Sequence, residues 1–292
     1  MSKLKKDKKQ DIFSMEVSPK TGAVMTAILA VLALVFIFPI LLVLMNSFKN
    51  KLYISDAPFS LPTSETFAGI SNYINGISKT GLIAAAGRSL FITVFSVIVI
   101  VLLTSMTAWW ITRVHSKFSS VLYYLFVFAM IVPFQMVMFT LAKTADTLKL
   151  NNPYNICIIY VGFGAGLAVF MFTGFVKSMP IAIEEAAMID GCNPLQIFFL
   201  VVCPILKPTM ISTAILETMW VWNDYLLPTL VLDIKVYRTI PMAIQYFRGS
   251  YGKVEMAPMM ACIMITVLPV IVLYLACQKY IIDGVVAGAV KG

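Results

Sequence analysis

The sequence predicts an all-α polytopic membrane protein of six spanning helices with both termini cytoplasmic. Three observations carry this. The 292 residues are 60% hydrophobic and 12% charged, with a mean hydropathy of +0.90, whereas soluble domains run about 45–50% apolar and about 25% charged. The apolar residues fall into six runs close to the roughly 20 residues that cross a hydrocarbon core. Lysines crowd the N-terminus (Lys3, Lys5, Lys6, Lys8, Lys9 and Lys20), and the positive-inside bias places that end in the cytosol.

The expected spans are Gly22 to Met45, Leu90 to Ile111, Val121 to Leu141, Tyr154 to Val176, Ile205 to Leu230, and Pro258 to Ile282. Around this membrane region, 21–282, lie a basic tail, 1–20, and a short C-terminal tail, 283–292. The first apolar run is too long for a secretory h-region, so the basic start reads as a cytoplasmic tail ahead of an anchor. With the N-terminus inside, the long loops 49–87 and 233–257 face outward. The loops 113–120 and 177–204 face the cytosol.

The five cysteines are scattered and suggest neither a disulfide framework nor a metal pair. The single histidine, His115, sits between Arg113 and Lys117 and reads as a solvated loop residue. That leaves no basis for a histidine-dependent triad or a metal site. No GxxxxGK[ST] phosphate loop occurs, so the chain holds no ATPase site of its own. Trp109 and Trp110, at the inner end of the second span, read as an interfacial belt.

The cytoplasmic stretch 178–204 is the least membrane-like part of the second half. Pro180 suits the first position of a helix, followed by Glu184 and Glu185 near the positive end of its dipole. Gly191 suits a left-handed helix stop. Asn193, Pro194 and Gln196 then form an N-cap, an N1 proline and a capping-box partner. Two short helices joined by a tight turn are expected on the cytoplasmic surface.

The order Glu185-Ala186-Ala187, Gly191, Val201, Cys203, Pro204 resembles the signature loop of ATP-binding-cassette importer permeases. Val201 and Cys203 stand where that pattern usually has Ile and Leu. Further stretches resemble the smaller carbohydrate permease of the maltose, glycerol-phosphate and multiple-sugar type. They are Met130 to Gln135 (MIVPFQ), Trp222 to Pro228 (WNDYLLP), Asn72-Tyr73, and the closing Ala287 to Gly292 (AGAVKG). The likeness runs from the first span to the last residue.

The resemblance implies a sugar-importing permease subunit in a bacterial cell membrane, paired with a second, homologous permease. It also implies two ATPase subunits that hold the ATP and magnesium, an extracellular solute-binding protein docking on 233–257, and no nucleic acid. The coupling residues it implies are Glu184, Glu185, Ala186, Ala187, Asp190, Gly191 and Pro204. Gly288, Val290, Lys291 and Gly292 would reach the ATPase through the tail. The competing classes are a self-sufficient secondary carrier or channel, and a permease of the same class for a non-sugar solute.

Inside the spans, Glu217, Trp220 and Asp224 are spaced i, i+3, i+7 and share one helix face. Intramembrane acids usually face a bundle interior or a wet cavity, and rings with acids or amides suit sugars. These residues, with Asn223 and with Gln135 beside Pro133, are the candidates for a substrate path or gate. For Asn223 and Asp224 the competing role is packing or gating near the outer end of the span. For Pro133 it is a kink that shapes the bundle.

Overall fold

The computed structural model describes residues 18–248 and 254–289, with side chains to Tyr280. Twelve helices follow one another among them. They are α1 (Pro19–Ser47), α2 (Lys51–Asp56), α3 (Ser71–Thr80), α4 (Leu82–Arg113), α5 (Lys117–Ile131) and α6 (Phe134–Thr147). Then come α7 (Ile156–Val176), α8 (Ala182–Ile189), α9 (Pro194–Asn223), α10 (Leu226–Val231), α11 (Ile240–Gln245) and α12 (Met256–Ala289). Five of these (α1, α4, α7, α9 and α12) are long and apolar enough to cross a membrane. Counting the bent pair α5 and α6 as one span brings the number to six. The end of the bundle that carries α8 is called here the hairpin end, and the opposite end the far end.

The central contact is α4 against α7, with α5 and α9 packed on the same pair. Small residues on α7 make this possible, because lipid offers apolar side chains no hydrophobic reason to leave it and helices must gain by close approach. A Cβ at Gly166 would lie 2.9 Å from the Phe126 carbonyl oxygen on α5. Toward the hairpin end the core is built from Ile100, Ala108, Val169, Phe172, Phe198 and Leu206, all buried. A second cluster at the far end joins Ile92, Ile156, Tyr160 and Leu227. By contrast α1 is exposed along nearly its whole apolar length and packs within the chain along α12.

Three spans depart from the sequence expectation. The third is not one helix across 121–141: α5 and α6 meet at 103°. The residue before a proline is driven out of the helical region, and here both Val132 (ψ 119°) and Pro133 (ψ 133°) are extended. Two extended residues in succession turn the axis instead of merely kinking it. At 15 residues, α5 rises about 22 Å, short of a hydrocarbon core of about 30 Å. α6 lies against α10 at the far end.

The fifth span begins at Pro194 and ends at Asn223, not at Ile205 and Leu230. The expected second hairpin helix is its first turns, so the hairpin holds one free helix, α8, instead of two. Pro204 lies inside this span and does not close the hairpin. Residues Ile197–Val202 form a π-helical turn just ahead of it. A proline ring inside an α-helix clashes with the carbonyl four residues back, and a wider turn gives that carbonyl room.

The sixth span is found at Met256–Tyr280, but its helix continues to Ala289, so the expected tail from 283 begins as helix and Gly288 lies in it. Val290, Lys291 and Gly292 lie outside the described residues.

The segment 49–87 folds over the far end as α2, α3 and the start of α4. Asn72 Nδ2 donates to the carbonyls of Ser47 (2.8 Å) and Lys49 (2.9 Å), satisfying groups that the end of α1 leaves open. Ser47 and Tyr73 share a hydroxyl hydrogen bond of 2.7 Å. Lys49, fully buried, donates to the Ala57 carbonyl at 2.8 Å. In the segment 233–257, α11 packs on α4 and α12. Residues 249–253, including Tyr251 and Lys253 of the expected docking loop, lie outside the described residues.

Candidate functional site

Two places gather the residues singled out in the sequence. The first is the hairpin. α8 starts two residues after Pro180 and is stopped two residues past its end by Gly191, whose φ of +86° is left-handed. Gly191 N–H donates to the Met188 carbonyl and Cys192 N–H to the Ala187 carbonyl, both at 3.0 Å. That pair of bonds is the Schellman stop, which glycine adopts without a Cβ penalty. Two residues on, Asn193 Oδ1 accepts from Gln196 N–H at 2.9 Å and Gln196 Oε1 accepts from Asn193 N–H at 2.8 Å. The capping box read in the sequence is present, and it starts α9.

The seven expected coupling residues do not share one face. Glu185, Ala186, Asp190 and Gly191 are exposed, together with Ile183, Met188 and Ile189. Ile189 is 85% exposed, an unusual position for a large aliphatic chain on a polar hairpin. Glu184 and Ala187, one turn apart, instead point into the bundle, and Glu184 is 1% exposed. They are not available to a partner. Glu184 Oε1 accepts from Arg113 Nε at 2.9 Å and Nη2 at 2.7 Å. Its Oε2 accepts from Trp109 Nε1 at 2.8 Å. Arg113 also donates to the Met179 carbonyl.

Trp109 is therefore not a belt residue: its indole faces inward, with the ring 5.7 Å from that of Phe198. Trp110 is the half-exposed one. A spacing rule could have flagged the pair, since Trp109 and Arg113 are i, i+4 on one helix face.

The second place is the break between α5 and α6. A cavity of about 150 Å³ there is lined by Phe134, Gln135, Phe163, Trp220, Asp224 and Leu226. Gln135 from one stretch and Trp220 and Asp224 from another thus meet. Glu217, Trp220 and Asp224 do share a face, and it packs on α7. Trp220 stacks edge-on against Tyr160 with centroids 5.5 Å apart. Tyr160 Oη donates to Asp224 Oδ2 at 3.0 Å, and Asp224 Oδ1 accepts from Leu226 N–H at 2.9 Å. Asp224 thereby ends α9, starts α10 and ties both to α7.

Glu217 does not line the cavity. It is 2% exposed, lodged between α4 and α7 where a Cβ on Gly164 would meet both Ile100 Cδ1 and its own Oε2. Asn223, exposed, bonds back to the Met219 carbonyl at 2.7 Å. With Trp222, Tyr225 and Gln245 it borders another cleft, of about 360 Å³, between α9, α11 and α12. Sequence reasoning missed Tyr160, Phe134 and Phe163. A buried acid needs a donor, and Tyr160, a hydroxyl inside the fourth apolar run, was the available one.

A bundle of apolar helices with one pair broken over a polar and aromatic cavity, and a tightly turned hairpin at one end, has the architecture of a membrane transport subunit. The chain belongs to the family of binding-protein-dependent transport system inner membrane components, whose model matches residues 100–286. It is 39% identical to the probable starch degradation products transport system permease protein AmyC of Thermoanaerobacterium thermosulfurigenes, over 89% of this chain and 94% of that protein. It is 30% identical to the multiple sugar-binding transport system permease protein MsmG of Streptococcus mutans, over 90% and 95% respectively. The fold is similar to a bacterial ABC transporter involved in the import of the polysaccharide alginate. The TM-score is 0.74 and the identity 21%, covering 90% of this chain and 98% of that one.

Proposed function

We propose that this chain is one permease half of an oligosaccharide importer driven by separate ATPase subunits and fed by an extracellular binding protein. The hairpin end faces the cytosol, and the N-terminal lysines stand on that side. ATP and magnesium belong to the partner ATPase, and a second homologous permease completes the path. The segment 233–257 meets the binding protein.

The observation that carries this reading is the outward face of α8. A helix stopped by a Schellman turn and rejoined to a spanning helix by a capping box is rigid. Its exposed Ile183, Met188 and Ile189 around Glu185 offer apolar area that a partner groove would cover. Sugar as the cargo is supported by the named substrates of the relatives and by the ring, amide and carboxylate lining of the cavity. Ligand clefts commonly measure roughly 300–1,000 Å³, so 150 Å³ suits one wall of a path that a second subunit closes.

The test is to purify the N-terminally tagged chain from its own membranes in mild detergent, beside a Glu185→Ala, Gly191→Pro variant. An ATPase and a second permease accompany the wild type, and the variant loses only the ATPase. Purification of the chain alone, with sugar transport in liposomes lacking ATP, would assign it to the secondary carriers.

A further inference from the structure

We propose that Glu184, Arg113 and Trp109 form a pin that fixes the hairpin to the end of α4, so that motion imposed on α8 reaches α4 directly. The proposal rests on the reading of α8 as the ATPase-docking helix and adds a positioning role for residues that do not touch the ATPase.

By its chain alone, α8 is held at two points: residues 177–181, which lead from α7, and the Gly191–Asn193 turn into α9. A helix of eight residues hung on two short connectors can rock under load without moving the spans. The pin adds a third point of attachment, to an element about seventy residues earlier in the sequence. It uses both oxygens of one carboxylate. Oε1 takes two guanidinium N–H groups and Oε2 takes the indole N–H. Arg113 reaches past the carboxylate to the Met179 carbonyl at 3.2 Å, and so also fixes the connector from α7.

The Trp109 ring rests against fully buried Phe198, in the π-helical turn that opens α9. α8, the end of α4, the connector from α7 and the start of α9 are therefore tied at one place. α4 is the helix with the most extensive contact to α7 and also packs α9, so a displacement delivered to its end moves the central pair of the bundle as a body. Glu185, next in sequence and exposed, is left for the partner. The adjacent acids thus divide the work, one facing out and one facing in.

The test uses the assembled complex in proteoliposomes, with sugar uptake and ATP hydrolysis measured on the same sample. Glu184→Gln keeps an oxygen for Trp109 and removes the charge. Arg113→Lys keeps the charge and removes the forked donor set. For each, the ATPase remains in the complex and continues to hydrolyse ATP, while sugar moved per ATP falls about tenfold, roughly the worth of one charge-assisted hydrogen bond. The two together lose no more than either alone. An unchanged ratio overturns the proposal. Loss of the ATPase from the Glu184→Gln complex overturns it too, because it makes Glu184 a docking residue. Failure of both variants to assemble reduces the pin to a folding contact. If the wild type itself carries no ATPase, the docking reading fails first and the pin falls with it.

Discussion

Two glycines on α7, eight residues apart, should respond to the same substitution with opposite signs. At Gly166 a new Cβ would lie 2.9 Å from the Phe126 carbonyl oxygen and 3.2 Å from both the Cβ and the backbone nitrogen of Met130. Ordinary carbon contacts begin at about 3.5 Å, so the shortfall is a few tenths of an ångström. Two of the three atoms are backbone, which cannot rotate away, so α5 must move as a unit. Overpacking of this kind costs about 1–3 kcal/mol. At Gly174 nothing lies within 4 Å of the added carbon, and alanine removes a mid-helix glycine penalty of about 0.5–1 kcal/mol. Gly166→Ala and Gly174→Ala should therefore differ by roughly 2–4 kcal/mol. Thermal unfolding in detergent, followed by the exposure of buried Cys157 and Cys262 to a thiol-reactive dye, measures both. If Gly166→Ala melts at or above Gly174→Ala, close approach of α5 and α7 is not what holds the two helices.

At the hairpin, Gly191→Ala should cost about 1 kcal/mol through its positive φ, and Asn193→Ala about 1 kcal/mol through the lost cap. Hydrogen exchange should show the loss of protection confined to α8 and the first turn of α9. Tyr160→Phe removes the donor to Asp224 and should cost about 0.5–1.5 kcal/mol in the same melting assay. Exchange would then rise at Leu226 and Leu227, whose N–H groups Asp224 holds. Trp220→Ala takes a ring from the cavity wall and should raise the half-saturating sugar concentration by about three- to tenfold. Basal ATP hydrolysis by the assembled complex should stay unchanged; a fall in both would place Trp220 in packing instead.

The spans were legible because lipid imposes one rule, about twenty apolar residues, and α1, α4, α7 and α12 obey it. The hairpin turn was legible for a different reason: Gly191, Asn193, Pro194 and Gln196 act through local backbone geometry, which sequence spacing encodes. What could not be read were the consequences of contact. Nothing local says that Val132 and Pro133 leave the helical region together, since a single proline more often kinks a span. Nor does the doublet Glu184-Glu185 reveal which acid turns inward. That is decided by Arg113 and Trp109 at the end of another helix. Glu217 illustrates the same limit. The i, i+3, i+7 face was correct, but only the position of α7 shows that Gly164 receives Glu217.

One helix joins the two sites. α9 begins at the hairpin turn and ends at Asn223, one residue before the Asp224 that bonds Tyr160, with Trp220 on its last turn. Its 30 residues amount to about 45 Å of axis, enough to cross the bilayer. A rigid rod of that length would carry any tilt at Pro194 to the cavity undiminished. This one has a π-helical turn and Pro204 and Pro208 near the hairpin end, where the helical ladder is weakest. The pin at Glu184 sits beside that weak stretch, with Trp109 against Phe198. Movement of α8 thus has two routes to the cavity: along α9 through the flexible turn, and through Arg113 into α4 and from there to α7, which carries Tyr160. Because the first route contains the helix's softest segment, the second should dominate. Stiffening the first then offers a direct check. Pro204→Ala restores the backbone donor that the ring removed, and in a Glu184→Gln background it should recover part of the lost transport per ATP. No recovery would show that α9 carries no load between the hairpin and the cavity.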